Sequence, residues 1–452
     1  STIVAPDPRA AVPRLAATIH RHPARDLRLV GITGTLGKTS TALLVQSALA
    51  ASGVQVGVIG SLGVRIQGRV ADTGMTTPDA PAIHRALRMM VDAGVTIAAL
   101  EVTSHAIALR RVAGLSFGVG ALTNLVPDEH LDFHGTAGHY LRTKARFFDM
   151  LADGAPLVVN HDDPRVRTLV TEAGVERRRP VVTVSAAGDP GAAVAVTGLR
   201  TDAAGSAFAL ELRTPLPSVD GVEVARGAVP LVLPVLGGHQ VANAALAAVV
   251  ALIAGASPTG ITESVAELAP IRRRMEIVRH ASPIVLDDTV GNPRALEAVF
   301  ASIDAIPHDG LQIAFGIRGS RGAAINRRLA RTLAELLRRA GRPARLIVTA
   351  SEDAAGPRDR VRPEERDTVL QVLREEGIAF NYESTLAEAV RRTLAATSGG
   401  DLVLLLGAQG MDRAAEIARA LLATAPGRAA PRAGAVPAFP PPRPPYTLND
   451  FI

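Results

Sequence analysis

A chain of 452 residues, 47% hydrophobic and 20% charged, is long enough to bury two or three substantial cores and predicts a soluble, globular body. It contains no cysteine, which excludes disulfides, a thiolate nucleophile and Cys-ligated metal, and fits a cytoplasmic enzyme. The net charge of +6 is scattered arginine in a chain with no Trp and three Tyr, so nucleic acid is not an expected partner, and neither is a membrane, since no apolar run reaches the ~18 residues of a span.

Residues 1–26 are rich in Pro and Arg and too short for a domain; they are expected to be a lead-in. Leu27 to Ile32 predicts a short buried strand, and the helical pattern from Thr39 to about Ala51 puts Leu44, Ala48 and Ala51 on one face before Gly53 ends it. Between them runs Gly31-Ile32-Thr33-Gly34-Thr35-Leu36-Gly37-Lys38-Thr39-Ser40. A glycine-rich turn from strand to helix presents backbone N–H groups at a helix N-terminus, where the dipole also favours an anion. Gly34, Thr35, Gly37 and Ser40 are therefore expected to form a phosphate cradle, with Lys38 neutralising the outer phosphates and Thr39 offering a hydroxyl to Mg2+. The loop is a variant of the P-loop, because Ile32 stands where the usual pattern has Gly. A plain Ala/Gly-rich turn is the competing reading, and the strand–loop–helix context weighs against it.

From 27 to about 185, apolar runs alternate with amphipathic stretches: Val54 to Ile59, the helix-like Ala80 to Val91, Ile97 to Val102, Phe117 to Leu122, the helix-like Tyr140 to Leu151, Leu157 to Asn160 and Val181 to Val184. The alternation predicts an α/β fold, a doubly wound and mostly parallel sheet, with ligands at the carboxyl ends of its strands. Residues 190–236 are Val/Leu-rich, broken by Gly and Pro, and predict an antiparallel insertion before a buried, Ala-rich helix from Val241 to Ile253. A boundary is expected near 257, dividing a central domain (27–257) from a second Rossmann-like α/β domain (258–427) with strands near Ile284, Leu311, Leu346 and Leu402. The tail from 428 carries Pro440-Pro441-Pro442-Arg443-Pro444-Pro445 and cannot build a core.

Polar groups close two further strands. Glu101-Val102-Thr103-Ser104-His105-Ala106 ends one; Thr123-Asn124-Leu125 ends another and leads through Glu129 and His130 to the helix carrying Lys144. Carboxylate, imidazole and lysine at neighbouring strand ends beside a phosphate loop suit metal-assisted phosphoryl transfer. Singly each is weak: a lone His is more often a satisfied structural residue, and a lone Lys a solvated helix charge. Lys144, however, shares its helix face with Tyr140, Leu141, Phe147 and Phe148, and desolvation there favours the neutral amine, which could react with CO2.

These motifs, together with Thr76-Thr77-Pro78, Arg111-Val112-Ala113-Gly114, Asn160-His161-Asp162-Asp163-Pro164, Gly237-Gly238-His239-Gln240-Val241-Ala242-Asn243 and Arg274-Met275-Glu276, resemble the Mur ligase family of ATP-dependent amide ligases over roughly residues 27–425. The first half is most similar to the muramyl-tripeptide synthetases, and Gly316-Ile317-Arg318-Gly319-Ser320-Arg321-Gly322 resembles the third domain of cyanophycin synthetases. The resemblance implies ATP and Mg2+ as cofactors. Lys38 would hold phosphates, Thr39 and Glu101 would bind Mg2+, His130 would ligate a second Mg2+, and Lys144 would be carbamylated. Asn243, Arg274 and Asp288 would meet the nucleotide, while Thr76, Thr77, Ser104, His105, Arg111 and Arg358 would meet substrate. It also implies an acyl phosphate formed on a small-molecule or peptidyl carboxylate and opened by an amine, that of an amino acid in the family's pattern.

Only about 26 residues precede the phosphate-loop strand, without the UDP-gripping domain of the peptidoglycan enzymes, which argues against a UDP-linked substrate. Gly291 replaces the His of the family's Asp-Tyr-Ala-His-x-Pro, and Gly407-Ala408-Gln409-Gly410-Met411 replaces its late Gly-Lys-Gly-His-Glu. Glu129 stands as a rival to His130 for metal. Two readings follow: an ATP-dependent carboxylate–amine ligase, or a non-catalytic nucleotide- or partner-binding relative on the same scaffold.

Overall fold

The structure, a computed structural model, describes residues 6–127, 129–202, 205–268 and 271–424. The Pro-rich tail lies outside the described residues, as does Asp128.

Eleven strands form the first sheet: β1 (Arg28–Thr33), β2 (Val56–Gly60), β3 (Gly63–Ile66), β4 (Arg69–Ala71), β5 (Ile97–Glu101), β6 (Val119–Leu122), β7 (Leu157–Asn160), β8 (Val181–Ser185), β9 (Val194–Asp202), β10 (Gly205–Leu212) and β11 (Gly227–Leu233). Their order is β11-β10-β9-β8-β7-β6-β1-β5-β2-β3-β4. From β9 to β2 the pairings are parallel, and these strands read as unbroken apolar runs because helices cover both faces. The stretch 190–236 is antiparallel as expected, but it is not a separate insertion: β9 pairs with β8 and carries β10 and β11 outward as a continuation of the same sheet.

A second sheet has the order β12-β13-β17-β14-β15-β16, from β12 (Glu276–Arg279), β13 (Ile284–Thr289), β14 (Gly310–Gly316), β15 (Ala344–Thr349), β16 (Phe380–Glu383) and β17 (Asp401–Gly407). All its pairings are parallel except the edge strand β12. One apolar cluster runs from Ile32 and Val45 through Ala244, Ala248 and Val249 of the Gly238–Ile253 helix to Leu296 and Val299 under the second sheet. Alanine on that helix lets the Lys38–Ala51 helix approach closely.

Two segments pack differently from expectation. The N-terminal lead-in contains a helix, Pro8–Ile19, lying on the Ala80–Asp92 helix; Asp7 caps it by accepting from Ala10 N–H, and Pro8 opens it. The Pro258–Ala266 helix packs on the Lys38–Ala51 helix and β11, so it is built into the first sheet's layer. The helix-like stretch 140–151 is divided into Ala137–Ala145 and a 3-10 turn, Phe148–Met150.

Candidate active site

The carboxyl ends of β1, β5 and β6 face those of β13 and β14 across a cleft of about 1220 Å³. Every residue singled out from sequence lines it: Gly34, Thr35, Gly37, Lys38, Thr39, Ser40, Thr76, Thr77, Glu101, Ser104, His105, Arg111, His130, Lys144, Asn243, Arg274, Asp288 and Arg358.

The loop at the end of β1 is held from behind. Asn124 accepts from Leu36 N–H (2.9 Å) and donates to its carbonyl (3.1 Å), while Thr123 Oγ1 donates to the same carbonyl (2.6 Å). Gly37 has φ +82°, and a Cβ there would collide with the Asn243 side chain; only glycine serves both needs. Lys38 Nζ folds back onto the carbonyls of Gly34 (3.0 Å) and Thr35 (2.9 Å). Burial lowers its pKa, Glu101 opposing and Arg274 adding to that effect.

Glu101, 1% exposed, is the carboxylate of the site. Its Oε2 accepts from Thr39 Oγ1 (3.0 Å) and Ser61 Oγ (3.3 Å), and its Oε1 from Ser61 N–H (2.8 Å). Burial raises its pKa, with Lys38 and these donors opposing. Ser61 Oγ also bonds Thr76 Oγ1 (2.9 Å), Thr77 Oγ1 donates to the Glu101 carbonyl (2.7 Å), and Arg111 donates to the Thr77 carbonyl (2.9 Å). The polar groups expected to meet substrate are thus wired to the carboxylate expected to meet metal. Ser104 Oγ is buried without a partner.

His130 packs edge-on to His105, ring centroids 4.9 Å apart. Burial, then the neighbouring His105 and Lys38, push the pKa of His130 down to about 2; burial and His134 take His105 to about 4. Both imidazoles are neutral near pH 7, the form in which a ring nitrogen can ligate. Glu129 instead lies 4.0 Å from Arg318. Lys144 is 2% exposed and donates to Thr33 Oγ1 (3.0 Å) and the Gly34 carbonyl (2.7 Å). Burial and then Lys38 set its pKa well below the ordinary lysine value, so the expected neutral amine is what the site favours.

Among the described residues no three His, Asp or Glu side chains converge as a metal cluster. The Thr39 hydroxyl and Glu101 carboxylate nevertheless suit Mg2+, a hard ion held through one or two protein oxygens with water and phosphate completing its shell.

On the facing wall, Asp288 accepts from Met275 N–H (2.6 Å), with Arg274 and the His239 imidazole beside it. Asn243 donates to Gln240 (3.3 Å). The Arg318 guanidinium lies against Gly291: it donates to the Gly291 carbonyl, and a Cβ at 291 would be in ordinary contact with Arg318 Cζ at 3.5 Å. Sequence reasoning missed Ser61 and Arg318 as site residues. Ser61 directly follows an apolar strand, the same signal that marked Glu101, whereas the role of Arg318 is recognisable only from its contacts with Gly291 and Glu129.

Two family models match the chain: the Mur ligase middle domain over residues 32–251 and the Mur ligase glutamate ligase domain over 273–409. Among curated proteins, a UDP-N-acetylmuramyl-tripeptide synthetase of Roseiflexus sp. (strain RS-1) is 34% identical over 425 residues, covering 89% of this chain and 77% of that protein. A UDP-N-acetylmuramoyl-L-alanyl-D-glutamate--2,6-diaminopimelate ligase of Chlorobaculum tepidum is 33% identical over 412 residues, 90% of this chain and 76% of its own. In fold, the chain is similar to Mycobacterium tuberculosis folylpolyglutamate synthase complexed with ADP and AMPPCP, with a TM-score of 0.71 at 17% identity over 92% of this chain and 96% of that one.

Proposed function

The chain belongs to the Mur ligase family of ATP-dependent ligases, and from that premise we propose that it joins a small or peptidyl carboxylate to the amine of an amino acid through an acyl phosphate. The observation that carries this reading is the grouping of Lys38, the bonded Thr39–Glu101 pair and buried Lys144 at one set of strand ends. In the first step a carboxylate oxygen bonds to the γ-phosphorus while the bond to the β–γ bridging oxygen breaks, releasing ADP. In the second the amine nitrogen attacks the acyl carbon, phosphate leaves, and the nitrogen loses a proton.

Both reactants of the first step are anions, so the site must lower their repulsion. Lys38 does so by leaving the Gly34 and Thr35 carbonyls for the outer phosphates. The loop N–H groups orient the phosphate chain, and Arg274 and Asp288 take the nucleotide from the facing wall. Thr76, Thr77, Arg111 and Ser104 hold the carboxylate substrate, and His105 closes that side. Thr39 and Glu101 would hold one Mg2+ and His130 would ligate a second, and these ions would supply charge neutralisation when bound. Lys144 adds its amine to CO2, losing a proton and gaining a carboxylate that faces the metal side. Dependence on ATP fits a cytoplasmic protein.

A muramoyl peptide and 2,6-diaminopimelate, named for the relatives, are the first substrates to try, with Arg358 on the amine side. The altered Gly407 to Met411 segment favours a second reading, a nucleotide-binding relative without turnover. Calorimetry with Mg2+·ATP on wild type and Lys38→Ala tests the premise of both. Binding abolished in the variant supports the assignment; equal binding by the two refutes the role of Lys38, and no binding by folded wild type refutes nucleotide use altogether.

A further inference from the structure

Glu365, 0% exposed, sits in the first turn of the Pro363–Glu375 helix and accepts four backbone N–H bonds. Oε1 takes Arg321 (2.8 Å) and Gly322 (2.6 Å); Oε2 takes Ser320 (2.9 Å) and Arg362 (2.9 Å). A helix-capping glutamate needs only the last of these and ordinarily stays at the surface. Burial raises the pKa of Glu365, and the four donors together bring it below the usual carboxylate value, so it is an ionised, enclosed anion.

Three of its donors belong to the turn after β14. That turn is pinned further: Arg318 N–H donates to Asn326 Oδ1 (3.1 Å), Asn326 Nδ2 to the Arg318 carbonyl (2.8 Å), and Ser320 Oγ to the Arg360 carbonyl (3.0 Å). Gly319 lies so close to the Asp359 carbonyl that no Cβ fits. Arg318 therefore leaves a rigid turn, crosses to within 4.0 Å of Glu129 on the first sheet's wall, and keeps a buried Nε without a partner. Glu129 interacts in turn with Lys38.

We infer that Glu365 is a positioning residue, an internal anion that fixes the 318–322 turn so that the Arg318 guanidinium faces the outermost phosphate held by Lys38. The inference rests on the nucleotide reading above. A guanidinium held this way contributes without reorganising when charge develops, and the Gly291 carbonyl accepts from it on the cleft side.

The test compares Mg2+·ATP and Mg2+·ADP affinity by calorimetry in the full chain. Glu365→Ala is expected to weaken ATP about tenfold and ADP less than about twofold, a difference of one charge-assisted hydrogen bond. Formate, entering the vacated nest of N–H groups, is expected to restore ATP binding. Arg318→Ala should show the same selective loss without formate rescue, and the double variant should bind no more weakly than Arg318→Ala alone. ATP binding unchanged in Glu365→Ala, insensitivity to formate, or additive losses would each overturn the inference. Glu365→Gln, which keeps the shape, serves if the alanine variant does not fold, with the same selective loss expected. Should wild type bind neither nucleotide, the nucleotide reading fails by itself; amide exchange at 320–322 then decides the rest. Exchange accelerated in Glu365→Ala and slowed again by formate supports the held turn, and unchanged exchange overturns it.

Discussion

Lys144 reaches the loop carbonyl of Gly34 with its amine, which lies 5.8 Å from the ring centroid of Tyr140, and both residues are buried. A permanently charged lysine could not rest there cheaply, and the proposed carbamylation would turn the cost into use by making a carboxylate where an amine stood. Lys144→Ala is expected to lose nearly all ATP-driven phosphate release and to regain part of it with a short-chain carboxylate; activity equal to wild type without rescue would refute the carbamate. This residue was legible in advance because its helical neighbours are in the sequence. Ser61 carried only the mark of its place after an apolar strand, and Arg318 and Glu365 were not legible. A backbone N–H donor leaves no mark on residue type, and the contact of Arg318 with Gly291 exists only once β13 and β14 are brought together.

Elements were read best where hydrophobic period and length agree. The strands at β1, β5, β7 and β17 and the helices at Lys38–Ala51 and Ala80–Asp92 lie within a few residues of expectation, since buried parallel strands and amphipathic helices print their environment on the chain. The Pro8–Ile19 helix escaped because its burial is slight, with Val12, Leu15 and Ile19 exposed, so its periodicity says little. Where this helix meets the next, His84 is 3% exposed with Nδ1 unpartnered. Burial, then His20 and His22, lower its pKa to about 4. The unfolded chain takes up that proton first as pH falls, so stability present above about pH 6.5 is lost toward pH 4, roughly 2 kcal/mol of it by about pH 5. Urea unfolding of wild type should therefore weaken over that interval more than that of His84→Gln; parallel curves would exclude His84 as the source.

At the scale of the molecule, the two sheets meet beside a buried ion network. Arg273, 5% exposed, donates to Asp412 (2.7 Å) and to the Gly407 and Ala408 carbonyls and lies 3.4 Å from Asp287, which is 0% exposed. Burial pushes Asp287 up to about 7, Arg273 opposing. The network ties the chain entering the second sheet to the loop leaving β17, and with it Gln409 at the cleft. Arg273→Met removes the cation and strands the carboxylate, which should cost about 3 kcal/mol or more by chemical denaturation; a loss under about 1 kcal/mol would mean that Asp287 is already protonated. The α/β class and the two-sheet plan were readable from the order of apolar and amphipathic runs, but the outward growth of the first sheet through β9 was not, because strand pairing between distant segments has no local signature.

The cleft has one wall from each sheet, and that division has a thermodynamic consequence. A ligand spanning both walls ties together two bodies that share one covalent connection, so the affinity it draws from the far wall is drawn in equal measure by whatever else binds there. By linkage the factor is the same in both directions. On the proposed reading, nucleotide and acceptor would then be reciprocal effectors of one another, and the order in which they arrive would alter the path but not the free energy of the assembled state.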